Sequence, residues 1–183
     1  MTSIAKAPGK IILFGEHFVV HGNRAILGAI DKYATVTSEK TNTENILISS
    51  SLGQTSIRKD QDVDKVEKKF RPFFYIAKQV ISKNNFQKGI SIKIESDIPI
   101  GAGLGGGSAD AASTLILLRK LFNNENKNNK IDLSTLYKIG IKLGSDVPAC
   151  LNSKDLRLEG FGEKLKRIKI VNHYFFLLIN PNI

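Results

Sequence analysis

Apolar and polar positions change rhythm several times along these 183 residues. Ile90-Ser-Ile92-Lys-Ile94 alternates strictly, which predicts a half-buried strand. Ile46-Leu-Ile48 and Thr55-Ser-Ile57 flank Leu52-Gly53-Gln54 and predict a hairpin. Ile4 to Phe14 predicts two short strands broken at Pro8-Gly9, and Ala25 to Lys40 contains the β-favouring run Tyr33 to Ser38. Between Asp64 and Lys83 the period lengthens. Val66, Phe70, Phe73, Phe74, Ala77, Val80 and Ile81 recur at three- and four-residue steps, so an amphipathic helix with core-facing aromatics is expected. Ala109 to Phe122 predicts a second helix and Asn123 to Lys130 a polar connector. Leu133 to Leu143 predicts a third helix, capped near Asp132 or Ser134 and ended by Gly144. Leu156 to Leu158 and Tyr174 to Ile179 read as strands. A β-rich first half followed by mixed elements, without an internal repeat, gives an α+β fold.

Composition narrows the setting. An apolar fraction of 42% supplies a sizeable core. Lys plus Arg exceed Asp plus Glu by 27 − 17 = 10, a balance that suits anionic ligands. The lysines are dispersed, with one cluster at Lys164-Leu-Lys166-Arg167-Ile-Lys169, and aromatics are not interleaved with them as in a single-strand binder. No specific nucleic-acid partner is expected. The single cysteine, Cys150, excludes an intrachain disulfide framework and points to a reducing compartment. No apolar run is long enough to cross a membrane as a helix, and the first residues lack a signal-peptide core. A cytoplasmic protein without membrane partners is the expectation; oligomeric state is unreadable.

Residues 99–112 place five glycines before a helical run. Backbone without side chains can turn successive N–H groups toward one point, and a helix start adds its own free N–H groups there. That arrangement favours a phosphate. Ile98, Ile100 and Leu104 interrupt the glycines with apolar anchors, unlike a flexible linker. Gly101 to Gly106 fits the G-x-G-x-x-G dinucleotide pattern, but its acidic partner about 20 residues on would fall in the Asn-rich stretch after Phe122. No Lys-Ser or Lys-Thr follows, so a Walker loop is excluded as well. The cradle is assigned to Gly101, Ala102, Gly103, Leu104, Gly105, Gly106, Gly107 and Ser108.

Three further segments carry chemistry. Ala7-Pro-Gly-Lys10 to Gly15-Glu16-His17 sets a lysine early in a strand and a Glu-His pair at its end. Lys142 to Pro148 sets Asp146 at a helix-start signal, where it reads either as a cap or as a reactive carboxylate. Glu159 to Glu163 is a second glycine turn. His21 and His173 read as structural or exposed, and Tyr33 as a core tyrosine or a pocket residue. No His/Cys cluster has zinc spacing.

With the glycine loop, these segments resemble the GHMP superfamily of small-molecule kinases: galactokinase, homoserine kinase, mevalonate kinase and phosphomevalonate kinase. Ala7 to Gly22 and Ala29 to Thr37 look like mevalonate kinase. Gly103 to Ala112, Lys142 to Pro148 and Gly160 to Glu163 look like 4-diphosphocytidyl-2-C-methyl-D-erythritol kinase. The resemblance implies a ribosomal-protein-S5-domain-2-like N-terminal domain over residues 1–183, without its C-terminal partner domain. It implies ATP-dependent phosphorylation of a small-molecule alcohol in isoprenoid biosynthesis, with mevalonate preferred as acceptor. The alternatives are the cytidyl-methylerythritol substrate, or a nucleotide-binding domain with little turnover. Asp146 and Lys10 match the catalytic pair, Glu16 and His17 the acceptor end, and Ser108 a contact to the phosphates or to Mg²⁺. Three departures stand beside these matches. Leu133 to Val147 lacks the Mg²⁺-binding Glu of mevalonate kinase, and Phe18 to Asn23 replaces the Asp-Gly-Tyr-His segment of the cytidyl enzyme. The Ser-Gly-rich third motif is also missing.

Overall fold

A computed structural model describes residues 2–18, 21–82, 89–125, 130–160, 164–170 and 175–180. Seven strands form one sheet: β1 (Ser3–Phe14), β2 (Ala25–Thr41), β3 (Asn45–Ser50), β4 (Gly53–Arg58), β5 (Gly89–Ser96), β6 (Leu156–Glu159) and β7 (Lys164–Arg167). Four helices accompany it: α1 (Arg71–Ser82), α2 (Gly106–Glu125), α3 (Leu133–Leu143) and α4 (Val147–Asn152). The long strand β2 organises the sheet. β1 runs antiparallel along one of its edges, from Ser3 opposite Ser38 to Phe14 opposite Ile26. The other edge is shared, by β5 against Ala34–Thr41 and by β6 against Ala25–Leu27. The β3–β4 hairpin extends the sheet through a parallel pairing of β3 with β5.

The alternating isoleucines of β5 turn Ile90, Ile92 and Ile94 inward to meet Ile46, Ile48 and Val36. α2 crosses this face as the central helix. Its Ala109, Ala112, Leu115, Leu118 and Phe122 are buried, as are Ala111, Leu117 and Leu121 on its other sides. A helix apolar on nearly every face must be enclosed, and α1, α3 and α4 all pack on it. The buried hydroxyls of Ser113 and Thr114 donate back to the carbonyls of Ala109 and Asp110, so they leave no polar debt.

Several expectations shift in the structure. The two strands expected over Ile4–Phe14 are one strand with a register slip between Pro8 and Lys10. Glycine makes this possible: a Cβ on Gly9 would lie 2.8 Å from the Leu104 carbonyl oxygen. The helix expected from Asp64 begins only at Arg71, after a 3-10 turn at Val63–Lys65. Pro72 explains the late start, since its missing N–H and ring are tolerated only in a first turn. α2 starts three residues earlier than expected, inside the glycines, and takes in part of the expected connector. α3 and its Asp132 cap stand as read, with the carboxylate accepting from the Thr135 N–H at 2.8 Å. The lysine cluster is partly the edge strand β7. The strand expected over Tyr174–Ile179 is absent from its described part: Phe175 to Ile179 are exposed and pair with no described strand. Apolar, β-favouring side chains do not make a strand without a neighbour to bond. Among the described residues, no helix is long and apolar enough to cross a membrane.

Candidate functional site

The centre of the site is where β1, the glycine loop and α4 meet. Lys10 sits just past the register slip, and its N–H donates to the Leu104 carbonyl at 2.9 Å. That bond ties the strand to the loop. The Lys10 side chain is buried, and its Nζ lies 3.2 Å from Asp146 Oδ2. Asp146 occupies the N-cap position of α4 but makes no side-chain capping bond. Of its two sequence readings, the cap is therefore excluded, and the carboxylate is turned to the lysine instead.

The loop has the backbone its glycines permit. Gly101, Gly103 and Gly105 all have φ near +73°, a region that costs other residues dearly. Ala102 and Leu104 between them are not in that region. Alternating hands of this kind turn successive N–H groups to one concave side. Among the described residues, no N–H from Gly103 to Ser108 finds an acceptor; the first helical bond is Ala109 N–H to the Gly105 carbonyl at 2.8 Å. Ile98, just before the loop, and Leu104, within it, are buried and anchor it. Gly105 must be glycine twice over, because a Cβ there would also meet Lys10 Cγ at 3.1 Å.

A cavity of about 310 Å³ opens on this loop. Its polar wall is Gly101 to Gly107, and its apolar wall includes Phe70, Phe73, Ile94 and Pro99, with Lys69 and the Ser50–Leu52 turn at the rim. Sequence reasoning assigned the loop but missed this second wall. It also missed Asp110, which lines the cavity one turn into α2. Asp110 Oδ1 is shielded from solvent and has no hydrogen-bond partner. Burial pushes its carboxyl up to about 6. Cys150 is a buried core thiol, pushed up to about 12 by burial and then by the Asp146 charge, with Lys10 pulling the other way.

The other assigned residues lie farther out. Glu16 and His17 are exposed on the turn after β1, and no hydrogen bond or ion pair joins their side chains to a described residue. His17 takes the left-handed conformation at φ 64°. The structure thus gathers Lys10, Asp146 and the loop, and leaves Glu16 and His17 at the margin. Tyr33 is outside the cavity lining, its N–H donating to Asp97 Oδ1. Of the second glycine turn, Phe161 to Glu163 lie outside the described residues, as does His173.

Residues 72–154 match the family described as GHMP kinases N terminal domain. This chain carries that domain. Among curated proteins, a 4-diphosphocytidyl-2-C-methyl-D-erythritol kinase of Clostridium perfringens is 32% identical over 162 residues, covering 88% of this chain and 51% of the relative. The corresponding protein of Vesicomyosocius okutanii is 33% identical over 189 residues, covering 100% of this chain and 61% of its own. The chain thus spans about half to three-fifths of the length of these relatives. Among solved structures, the Methanococcus jannaschii mevalonate kinase aligns with a TM-score of 0.77 at 24% identity, over 92% of this chain and 56% of that one. A 4-(cytidine 5'-diphospho)-2C-methyl-D-erythritol kinase aligns at 0.58 and 24%, over 92% and 55%. The structural likenesses establish the mixed α+β kinase fold, while the sequence relatives carry the cytidyl name.

Proposed function

We propose that this chain forms the nucleotide-binding half of an ATP-dependent kinase that phosphorylates a hydroxyl of a small-molecule alcohol. The single observation that carries this reading is the Lys10–Asp146 contact at 3.2 Å, set against a glycine cradle whose amides have no internal acceptor. In this reading the amides of Gly103 to Ser108 hold the phosphates, and the apolar wall beside Phe70 and Pro99 receives the nucleoside. Phosphoryl transfer proceeds through a loose transition state, so position and charge neutralisation supply most of the rate. The acceptor oxygen bonds to the γ-phosphorus as the bond to the departing ADP oxygen breaks. Its proton passes to Asp146, late in the transfer, when even a weak carboxylate base suffices. Lys10 pairs with Asp146 and orients it.

The domain boundary of the reading is residues 1–183, with a further domain supplying the opposite wall of the cleft. Magnesium bound with the triphosphate would neutralise charge on the phosphate oxygens. Such a site takes one or two carboxylates besides phosphate and water; Asp110 lines the cavity, whereas the Ser108 hydroxyl assigned from sequence lies off its lining. Among the described residues there is no cluster of three or more acidic, His or Cys side chains for a metal held by protein alone.

The acceptor preferred here is the cytidyl-methylerythritol alcohol, supported by the names of relatives that cover 88% or more of this chain. That reverses the order drawn from residues 3–37, which favoured mevalonate. Mevalonate stays as the second reading because Phe18 to Asn23 stands where the cytidyl enzyme has its Asp-Gly-Tyr-His segment. Incubation with ATP and each acceptor in turn, following ADP release, tests both. ADP with the cytidyl substrate alone is expected; ADP with mevalonate alone restores the first order. If ATP raises the melting temperature but neither acceptor yields ADP, this chain is a binding module without turnover.

A further inference from the structure

The geometry points to Asp110 as the protein's contact for the divalent cation that accompanies the bound triphosphate. The inference rests on the nucleotide reading above and adds the residue that makes binding metal-dependent. Asp110 lines the cavity together with Gly106 and Gly107, which stand four and three residues before it and so share its side of α2. One of its oxygens is sealed from solvent without a partner, and among the described residues no cation pairs with the carboxylate. Lys69, the other charged residue lining the cavity, pairs instead with Glu67 at 2.9 Å.

This is an odd charge to keep in such a place. The neighbouring amides are arranged for an anion, and a bare carboxylate among them would repel a polyphosphate. Burial of an unpaired acid also costs free energy before any ligand arrives. Both penalties are offset if the ligand brings a cation that bridges the carboxylate and the phosphate oxygens. Mg²⁺ suits the position, being a hard ion that takes one or two carboxylates plus substrate phosphates. Ser108, the contact assigned from sequence, is off the cavity lining. At about 100° per residue it faces roughly away from Asp110 across the helix. The two side chains therefore make separable predictions.

Calorimetric titration of the purified protein with ATP, with and without Mg²⁺, tests the assignment. Wild type is expected to gain about tenfold or more in affinity from Mg²⁺, and Asp110→Asn to lose that gain to within about twofold. Metal-free ATP should bind Asp110→Asn as well as wild type or better, because the repulsion is gone. Ser108→Ala should keep the gain. With Mn²⁺ and ATP, the water-relaxation enhancement of the ternary complex should fall in Asp110→Asn. The variant is nearly isosteric and removes a buried charge, so its ligand-free melting temperature should match or exceed wild type; Asp110→Ser serves as a second variant. An equal Mg²⁺ gain in wild type and both Asp110 variants overturns the assignment, as does a wild type that binds ATP without any Mg²⁺ gain. Loss of the gain in Ser108→Ala alone overturns it too. A wild type that binds no ATP at all overturns the nucleotide reading, and this inference with it.

Discussion

The glycine loop, which is bonded to Lys10, and the turn after β1 are made of different material. The loop is built of backbone: three glycines in the left-handed region, amides without an acceptor among the described residues, and two buried anchors in Ile98 and Leu104. In the turn, Gly15 is wedged against the Arg24 carbonyl, where a Cβ would lie at 2.3 Å, and its sequence neighbours are exposed side chains. Phe14 and Phe18 are 70% and 64% exposed, with Glu16 and His17 between them. A backbone cradle is complete once its local fold forms, because its donors are fixed by dihedral angles. A side-chain surface is complete only when something packs on it. In the proposed reading, the nucleotide end is therefore set by backbone dihedral angles, whereas the acceptor end at Glu16 and His17 presents exposed side chains.

The sharpest break between the two ends should come from Asp146. Asp146→Asn is expected to lower kcat by about 10²–10⁴-fold, the usual worth of a positioned base, while ATP affinity changes little. Equal losses in kcat and in ATP affinity would mean that the carboxylate serves the cradle and not the acceptor, which would erase the division. Next in size is Gly105→Ala. It forces a side chain into the left-handed region, at about 1–2 kcal/mol, and presses on Lys10 Cγ. ATP affinity and melting temperature should both fall. Gly107→Ala is the control, since a Cβ there meets nothing within 4 Å and its φ is not positive. Chemical denaturation of the two variants separates backbone strain from simple bulk.

At the acceptor end the expected effects are smaller and of another kind. Glu16→Gln and His17→Asn alter exposed side chains without described partners, so stability should stay within about 0.5 kcal/mol of wild type. Any change should appear as a several-fold rise in the KM for the alcohol, with the KM for ATP unmoved. A rise in the KM for ATP would place these residues with the cradle and undo the contrast.

What was readable from sequence follows the same division. The loop announced itself because glycines at alternate positions between apolar anchors are a local signal, and local backbone geometry is what they determine. α3 was equally plain, from its Asp132 cap to Gly144. The choice Asp146 makes between capping and pairing is not local: Lys10 is 136 residues away in sequence, and only the meeting of β1 with α4 decides it. Asp110 had a signal that went unused. It is the one charged residue in the stretch from Ala109 to Leu118, on a helix buried along most of its surface, where a solvated position is scarce. The run from Phe175 to Ile179 misled for the opposite reason. Its composition favours a strand, but pairing depends on which sheet edge is near, and composition does not carry that.

The smallest effect gives a reporter for the junction between the two ends. Cys150 lies beneath Lys10, Asp146 and Gly105, with its Sγ 3.8 Å from where a Gly105 Cβ would stand. Burial and the Asp146 charge hold the thiol protonated, up to about 12, against an ordinary value of 9.0. Alkylation requires the thiolate, so iodoacetamide at pH 8 should label the native protein far more slowly than the unfolded chain. The sign of the pH dependence follows from linkage. The folded state holds this proton more tightly than the unfolded one, so its contribution is full below about pH 9. It is lost as pH rises toward 12. Cys150→Ser should flatten that part of the stability curve and lower the whole curve by a pH-independent amount, because it buries a hydroxyl in place of the thiol. ATP should slow the residual labelling if the cradle and the Lys10–Asp146 pair close on the nucleotide together. Fast labelling at pH 8, indifferent to ATP, would show the junction open to solvent, and the cradle would then be no more enclosed than the acceptor end.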